Sequence, residues 1–430
     1  MAATKFYEQS TPTSNRPSYI PFLRKWMATG FAIFFVASLL GLTMRYLFVN
    51  EIPFLKYKNI MHAHSHIAMM GWAFMLVAAG IIYFFDPNFK LKVVARNTLF
   101  LNTIAVVGMT ITFILLAYDL ESIAFSAMHL FTAYYFGINV LRKISDRKKT
   151  TSHKFLRWSI YWYFISSLGL LAIGPVSNMY GTHHPFYLGS IQFFIHFQFN
   201  GWFTFGALAI LLKFFENRGR SILIPEGIWV TLILSVLLTY LLSVTFSTPL
   251  EILFYLNAAG VILQGIAYAY ILKALIKPIK TIRFRSPVIR FIFFLGIASL
   301  IAKVIIQMVV VIPFVAVISY TIHNYVIAFV HLIMLGSITF TVSALLLQKG
   351  LLPLNNTAKV GWISLALGFL LMEFILFGQG TLLWMGAGFI PAYYEIIFGI
   401  TILLPLGILL ILWSFLQQKR KLTVINHSNT

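Results

Sequence analysis

Cysteine is absent from the 430 residues. That excludes disulfides, thiolate-held iron–sulfur clusters, covalent haem attachment through CxxCH and any copper centre built on cysteine. Charge is scarce as well. Asp, Glu, Lys and Arg together make up 10% of the chain, against 60% hydrophobic residues, and a soluble domain covers its surface with roughly twice as much charge. Acidic residues are the scarcest, 11 against 32 Lys and Arg, for a net charge of +21. The chain shows no Walker A motif, dinucleotide-binding glycine fingerprint, nucleophile elbow or HExxH zinc motif, which removes the common soluble enzyme classes.

What the sequence has instead is long apolar runs, with a mean hydropathy of +0.87. Many exceed the roughly 20 residues that a helix needs to cross a bilayer. A porin-like barrel would alternate apolar and polar residues, so the expected fold class is an all-α polytopic membrane protein. Candidate spans are 26–48, 62–85, 98–118, 122–141, 156–174, 186–214, 227–247, 252–275, 289–316, 322–347, 359–378 and 390–416, twelve transmembrane helices in one domain over 26–416. Residues 1–25 form a polar N-terminal tail without a cleaved signal, and 417–430 a C-terminal tail.

With the N-terminus, the even-numbered loops and the C-terminus on one side, that side holds 28 of the 32 Lys and Arg. Arg45, Lys56 and Lys58 fall opposite, and Lys303 inside a span. The positive-inside rule then puts both termini in the cytoplasm, in an arrangement expected of a bacterial inner-membrane protein. The basic excess is thus a matter of topology: membrane lipid is the expected partner, and nucleic acid is not.

The eleven histidines carry the functional signal. His153 and His427 lie in basic segments and receive no role. His62, His64 and His66 open the second span, and His129 sits in the fourth. His183 and His184 precede the sixth span, and His196 lies within it. His323 begins the tenth, with His331 roughly 12 Å deeper. All four spans run inward, so these histidines form a layer in the outer half of the membrane. Buried imidazoles need partners, and haem iron or another metal supplies one. His66, His196 and His331 are each followed five residues later by glycine, at Gly71, Gly201 and Gly336, an internal similarity.

The segment His64-Ser-His66-Ile-Ala-Met-Met-Gly71-Trp72 resembles the H-x-H-x4-G-W signature of cbb3-type haem-copper oxidases. The opening His62-Ala-His64 is similar to the HAH segment of NnrS-type haem- and copper-binding membrane proteins, and His331-Leu-Ile-Met-Leu-Gly336 to their HAL-x-x-G segment. Gly181-Thr-His183-His184-Pro resembles the paired-histidine segment that ligates the non-haem metal in haem-copper oxidases and nitric oxide reductases. This resemblance implies a bundle like subunit I of the haem-copper oxidases. A noncovalent b-type haem would be held by His66 and His331, with His62, His64 and Arg45 beside it. Copper or non-haem iron would sit on a set drawn from His129, His183, His184, His196 and His323. Implied partners are O2 or NO as a small-gas ligand and a separate electron-donor subunit or quinol. Glu373 and Glu395 are the acids expected to relay protons. The sequence departs from the family in having its signature on the second span instead of the tenth, and in lacking H-x3-Y. Two other readings therefore stand: a noncatalytic haem or copper binding, sensing or assembly protein, and a 12-helix secondary transporter.

Overall fold

In lipid a chain must satisfy its own backbone groups, and an apolar run of about 20 residues does so as a helix. The computed structural model describes residues 19–145 and 150–428, all helical apart from short connections, and no strand occurs among them. Twelve helices form the bundle: α1 (Ile20–Tyr46), α2 (Tyr57–Phe85), α3 (Lys92–Leu116), α4 (Leu120–Val140), α5 (Thr151–Tyr180), α6 (Pro185–Glu216), α7 (Glu226–Thr245), α8 (Glu251–Lys280), α9 (Pro287–Val309), α10 (His323–Gln348), α11 (Asn356–Trp384) and α12 (Tyr393–Gln418). A short helix, Pro313–Thr321, bridges α9 and α10.

Eleven of these are long and apolar enough to cross a membrane. The expected count of twelve needs correction at α4. That helix forms with 21 residues, but Glu121, His129, Asn139 and two tyrosines leave it less apolar than the others. It nevertheless runs antiparallel along α3: Phe125 meets Gly108, His129 meets Asn102 and Tyr135 meets Asn97. The expected boundaries shift too. α1 begins at Ile20, inside the expected tail, where Pro21 occupies the first turn without wasting a hydrogen bond. Lys5, Arg16, Arg147, Lys148 and Lys149 lie outside the described residues.

Helix starts follow local chemistry. Asp119 and Ser122 form a capping box on α4, Ser286 and Pro287 open α9, and Asn355 caps α11. Crossings follow small residues. Gly361 and Gly407 bring α11 and α12 so close that a Cβ on either glycine would stand 2.7 Å from the other's carbonyl oxygen.

Three helices occupy the centre. In the most apolar stretches of α2, α6 and α10, 83%, 89% and 61% of the residues are buried, whereas those of the other apolar spans reach at most 50%. Each central helix contains a π-helical stretch, Ile67–Ala73, Gln198–Phe203 and Leu332–Phe340. The three glycines at a fixed distance from a histidine, Gly71, Gly201 and Gly336, lie inside these stretches. A Cβ on Gly201 would meet Trp162 Cβ at 2.4 Å, and one on Gly336 would meet Ser299 at 2.6 Å, so both admit a neighbouring helix. The wide turns thus sit where the central helices are packed most tightly, and π-bulges are commonly found at functional positions.

The loops segregate by charge. Arg24 donates to the Gly350 carbonyl at 2.9 Å, Asn217 to that of Phe84 at 3.3 Å, and Lys154 pairs with Glu226 at 2.6 Å. Gln348 bridges to Arg283 and Arg285, and Asn355 to Gln417. These contacts gather the basic loops on one face. The opposite face is aromatic: Phe48 stacks on Tyr394 and touches Tyr57, Tyr46 meets Phe398, and Phe314 meets Trp384. Such rings suit a membrane interface.

Candidate functional site

Packing differs between the two halves of the central helices. From the π stretches towards the basic face nearly every residue of α2, α6 and α10 is buried, as in Phe74–Ile82, Gly201–Leu212 and Gly336–Gln348. Towards the aromatic face the same helices are half-exposed, although they stand in the middle of the bundle. Met61, His62, His64, His66, Ala68 and Met69 on α2 show this, as do Ile327, Phe329 and His331 on α10. The histidines of α2 and α10 therefore stand in the less buried half of the central helices.

The three histidines of α2 diverge. Nδ1–H of His66 donates to the His62 carbonyl at 2.8 Å, and its Nε2 accepts from the Tyr118 hydroxyl at 3.2 Å. Its ring lies 4.3 Å from Phe113. Desolvation raises the Tyr118 phenol to about 12 although its ring is exposed, so the hydroxyl remains a donor. His62 packs on Tyr118 at 4.6 Å, and its buried Nε2 has no partner. His64, two residues from each, points the other way. Its Nδ1–H donates to the Ala37 carbonyl of α1 at 2.8 Å, and its ring lies against Gly41, where a Cβ would stand 3.0 Å from Cε1.

The α10 partner of this cluster is His331. It lies within electrostatic reach of His64 and of Arg45. The expectation paired His331 with His66; His66 turns towards Phe113 of α3 and bonds Tyr118, whereas His64 is the α2 histidine whose charge reaches His331. The physical reason is helical geometry: residues two apart project roughly 200° apart. Nδ1 of His331 lies by the Ile327 carbonyl without reaching hydrogen-bond geometry. Arg45, at the end of α1, is flanked by Tyr57 and Tyr393 and forms no ion pair among the described residues.

The five residues expected to hold a second metal do not converge. Among the described residues, no group of three His, Asp or Glu side chains is placed to hold a metal ion. His183 and His323 are exposed. His184 caps α6, its Nδ1 accepting from the Phe186 N–H at 3.2 Å, and stacks on Tyr180. Both nitrogens of His196 are engaged, Nε2–H with the Val236 carbonyl at 2.8 Å and Nδ1 with the Asn200 amide at 3.3 Å.

His129 belongs to a separate polar relay. Its Nδ1–H donates to Asn102 Oδ1 at 2.7 Å, and Asn102 Nδ2 donates to the Met70 carbonyl at 3.3 Å, inside the π stretch of α2. The Tyr163 hydroxyl stands 3.5 Å from His129 Nε2. The crevice between the π stretches of α2 and α6, lined by Met70, His129, Tyr163, Gln198 and Trp202, is too narrow for water. A second link joins α2 to α10: Trp72 Nε1–H donates to Thr339 Oγ1 at 2.9 Å, and Thr339 donates to the Met334 carbonyl.

The two acids separate. Glu373 is interior, and neither carboxyl oxygen has a partner. Glu395 lies in the first turn of α12 and is exposed. An acid there complements the helix N-terminus and needs no relay role. Sequence reasoning missed Asn102, Tyr163, Gln198 and Asn200, the polar residues that hold the central helices in register. Amides inside apolar spans were the available signal. It also left His153 in a loop, whereas the residue is buried on α5 and bonded to Thr150 Oγ1 at 2.8 Å.

These features define an all-α polytopic membrane protein with its polar chemistry in one half of the bundle. Comparison with models of known families and with curated proteins yields no match for the chain.

Proposed function

We propose that this chain is a haem-binding membrane protein of the haem-copper oxidase and NnrS-like group, with His64 of α2 and His331 of α10 as axial ligands. One observation carries the reading. These two imidazoles stand on different helices in the less buried half, within electrostatic reach of one another, and among the described residues no hydrogen bond engages the Nε2 of either. The donor set fits a haem. The Ala37 carbonyl fixes the Nδ1–H tautomer of His64 and so leaves its Nε2 lone pair available to a metal. Gly41 gives that ring room, and the unpaired Arg45 supplies a cation for a propionate. A b-type haem held by two histidines supplies reversible one-electron transfer and leaves no coordination position for O2 or NO.

The separation of His129, His183, His184, His196 and His323 favours electron transfer or noncatalytic haem handling over turnover at a haem and second-metal centre. The partner this reading calls for is a separate electron donor, a quinol or a second chain. The antiparallel course of α4 along α3 supports twelve crossings. An even count also keeps the basic loops and both termini on one side, and the positive-inside rule makes that side the cytoplasm of an inner membrane.

The test is the reduced-minus-oxidised spectrum of the purified protein, with and without CO, alongside its iron content. A CO-insensitive low-spin band is expected, lost in His64→Ala and His331→Ala and kept in His66→Ala. Loss in His66→Ala with retention in His64→Ala would restore the pairing expected from sequence. Absence of haem after expression in haem-supplemented cells would return the chain to the transporter reading.

A further inference from the structure

Away from the histidines, buried polar atoms without partners collect on α8 and α9. On α8, Asn257 has neither amide atom bonded, and Gln264 Oε1 is free. On α9, Lys303 Nζ and Gln307 Oε1 are free. Asn257, Gln264 and Lys303 are each 1% exposed. These atoms lie on one line. Lys303 Nζ stands 5.3 Å from the Tyr268 ring centroid, and a Cβ on Gly265 would meet Met308 Sδ at 2.6 Å. That antiparallel register puts Gln264 and Gln307 at one level, with Lys303 below them and Asn257 above, about two turns nearer the aromatic face. At the inner end Lys303 acts electrostatically on His196. At the outer end Asn257 lies beside a small apolar cluster of Phe254, Val261, Val310 and Ala316, the last from the short Pro313–Thr321 helix.

Apolar residues at these positions would pack without cost, whereas an amide or ammonium buried in a bilayer without a partner is strongly disfavoured. The set contains acceptors and donors in alternation, carboxamide oxygens with an amide and an ammonium. Water bonds to donors and acceptors alike, with two to four bonds each. An anion would satisfy Lys303 but repel three carboxamide oxygens.

We infer that the α8–α9 seam is a water inlet, closed in this structure by its apolar cluster and entered from the aromatic face, that gives water and protons access to Lys303. The inference is independent of the haem reading and survives its failure.

The absence of cysteine makes the test clean, since single cysteines carry no background. Gln264→Cys and Gln307→Cys are placed in vesicles of known orientation and exposed to silver ions, which are small and do not enter lipid. Protection from a later maleimide label after denaturation reads the reaction. Both should react at least tenfold faster than Ile262→Cys and Ile266→Cys, which face lipid on α8, and only from the aromatic face. Equal rates, or reaction from the basic face alone, overturn the inlet. Radiolytic footprinting of the unmodified protein covers variants that fail to insert. Tyr268, 1% exposed, should oxidise, while Phe155, packed against Phe205 and Trp229, should not. An unoxidised Tyr268 overturns the proposal. Oxidised Tyr268 with unreactive cysteines means trapped water, which also overturns an inlet.

Discussion

Asn102 satisfies two buried groups with one side chain, the carbonyl of Met70 and Nδ1–H of His129. Asn102→Leu keeps the volume and orphans both, at a cost on the order of 1–3 kcal/mol each. The thermal midpoint in detergent should fall by several degrees; an unchanged midpoint would mean that the relay contributes nothing to stability. Gly41 makes a different case. Its missing side chain is what lets the His64 ring lie against α1, so Gly41→Val should abolish haem binding while leaving expression and the helical circular dichroism unchanged. At this scale the sequence was half legible. The H-x-H-x-H pattern showed that alternate histidines must diverge, but the face that looks inward depends on α1, and Gly41 bears no mark in the sequence that ties it to His64.

The three π stretches belong to the next scale. Their glycines were visible as a repeated distance from His66, His196 and His331. The widened turns were not, because one extra residue per turn leaves no trace in composition or hydropathy. In α10 the stretch is tied down by Thr339, which donates to Met334 and accepts from Trp72 on α2. Thr339→Val removes both bonds and strands a buried indole N–H. The expected loss is on the order of 1–3 kcal/mol, read from the detergent unfolding midpoint. Thr103→Val serves as control, since Thr103 bonds only the Leu99 carbonyl one turn back. Equal losses in the two variants would deny any special role to the α2–α10 link.

For the whole molecule, hydropathy and basic loops made the membrane class legible, and most helix positions within a few residues. α4 was the exception in both directions: found in the sequence as a span, yet less apolar than the rest because it carries His129 and its polar neighbours into the bundle. Its crossing is testable. Tyr118→Cys and Arg142→Cys flank α4 and should label with an impermeant maleimide from opposite sides of oriented vesicles. Labelling from opposite sides would make twelve crossings, and labelling from the same side would leave eleven and separate the termini.

The unequal packing of the two halves has an electrical consequence. A membrane voltage falls where mobile ions and water are excluded, and each elementary charge moved through the full 100 mV exchanges about 2.3 kcal/mol with the field. In this bundle the basic half of α2, α6 and α10 is closely packed, whereas His64 and His331 stand in the half nearer the aromatic face. On the haem reading proposed above, an electron supplied from the aromatic face crosses less of the potential than one supplied from the basic face, so the direction of supply sets how much the voltage opposes or assists the transfer.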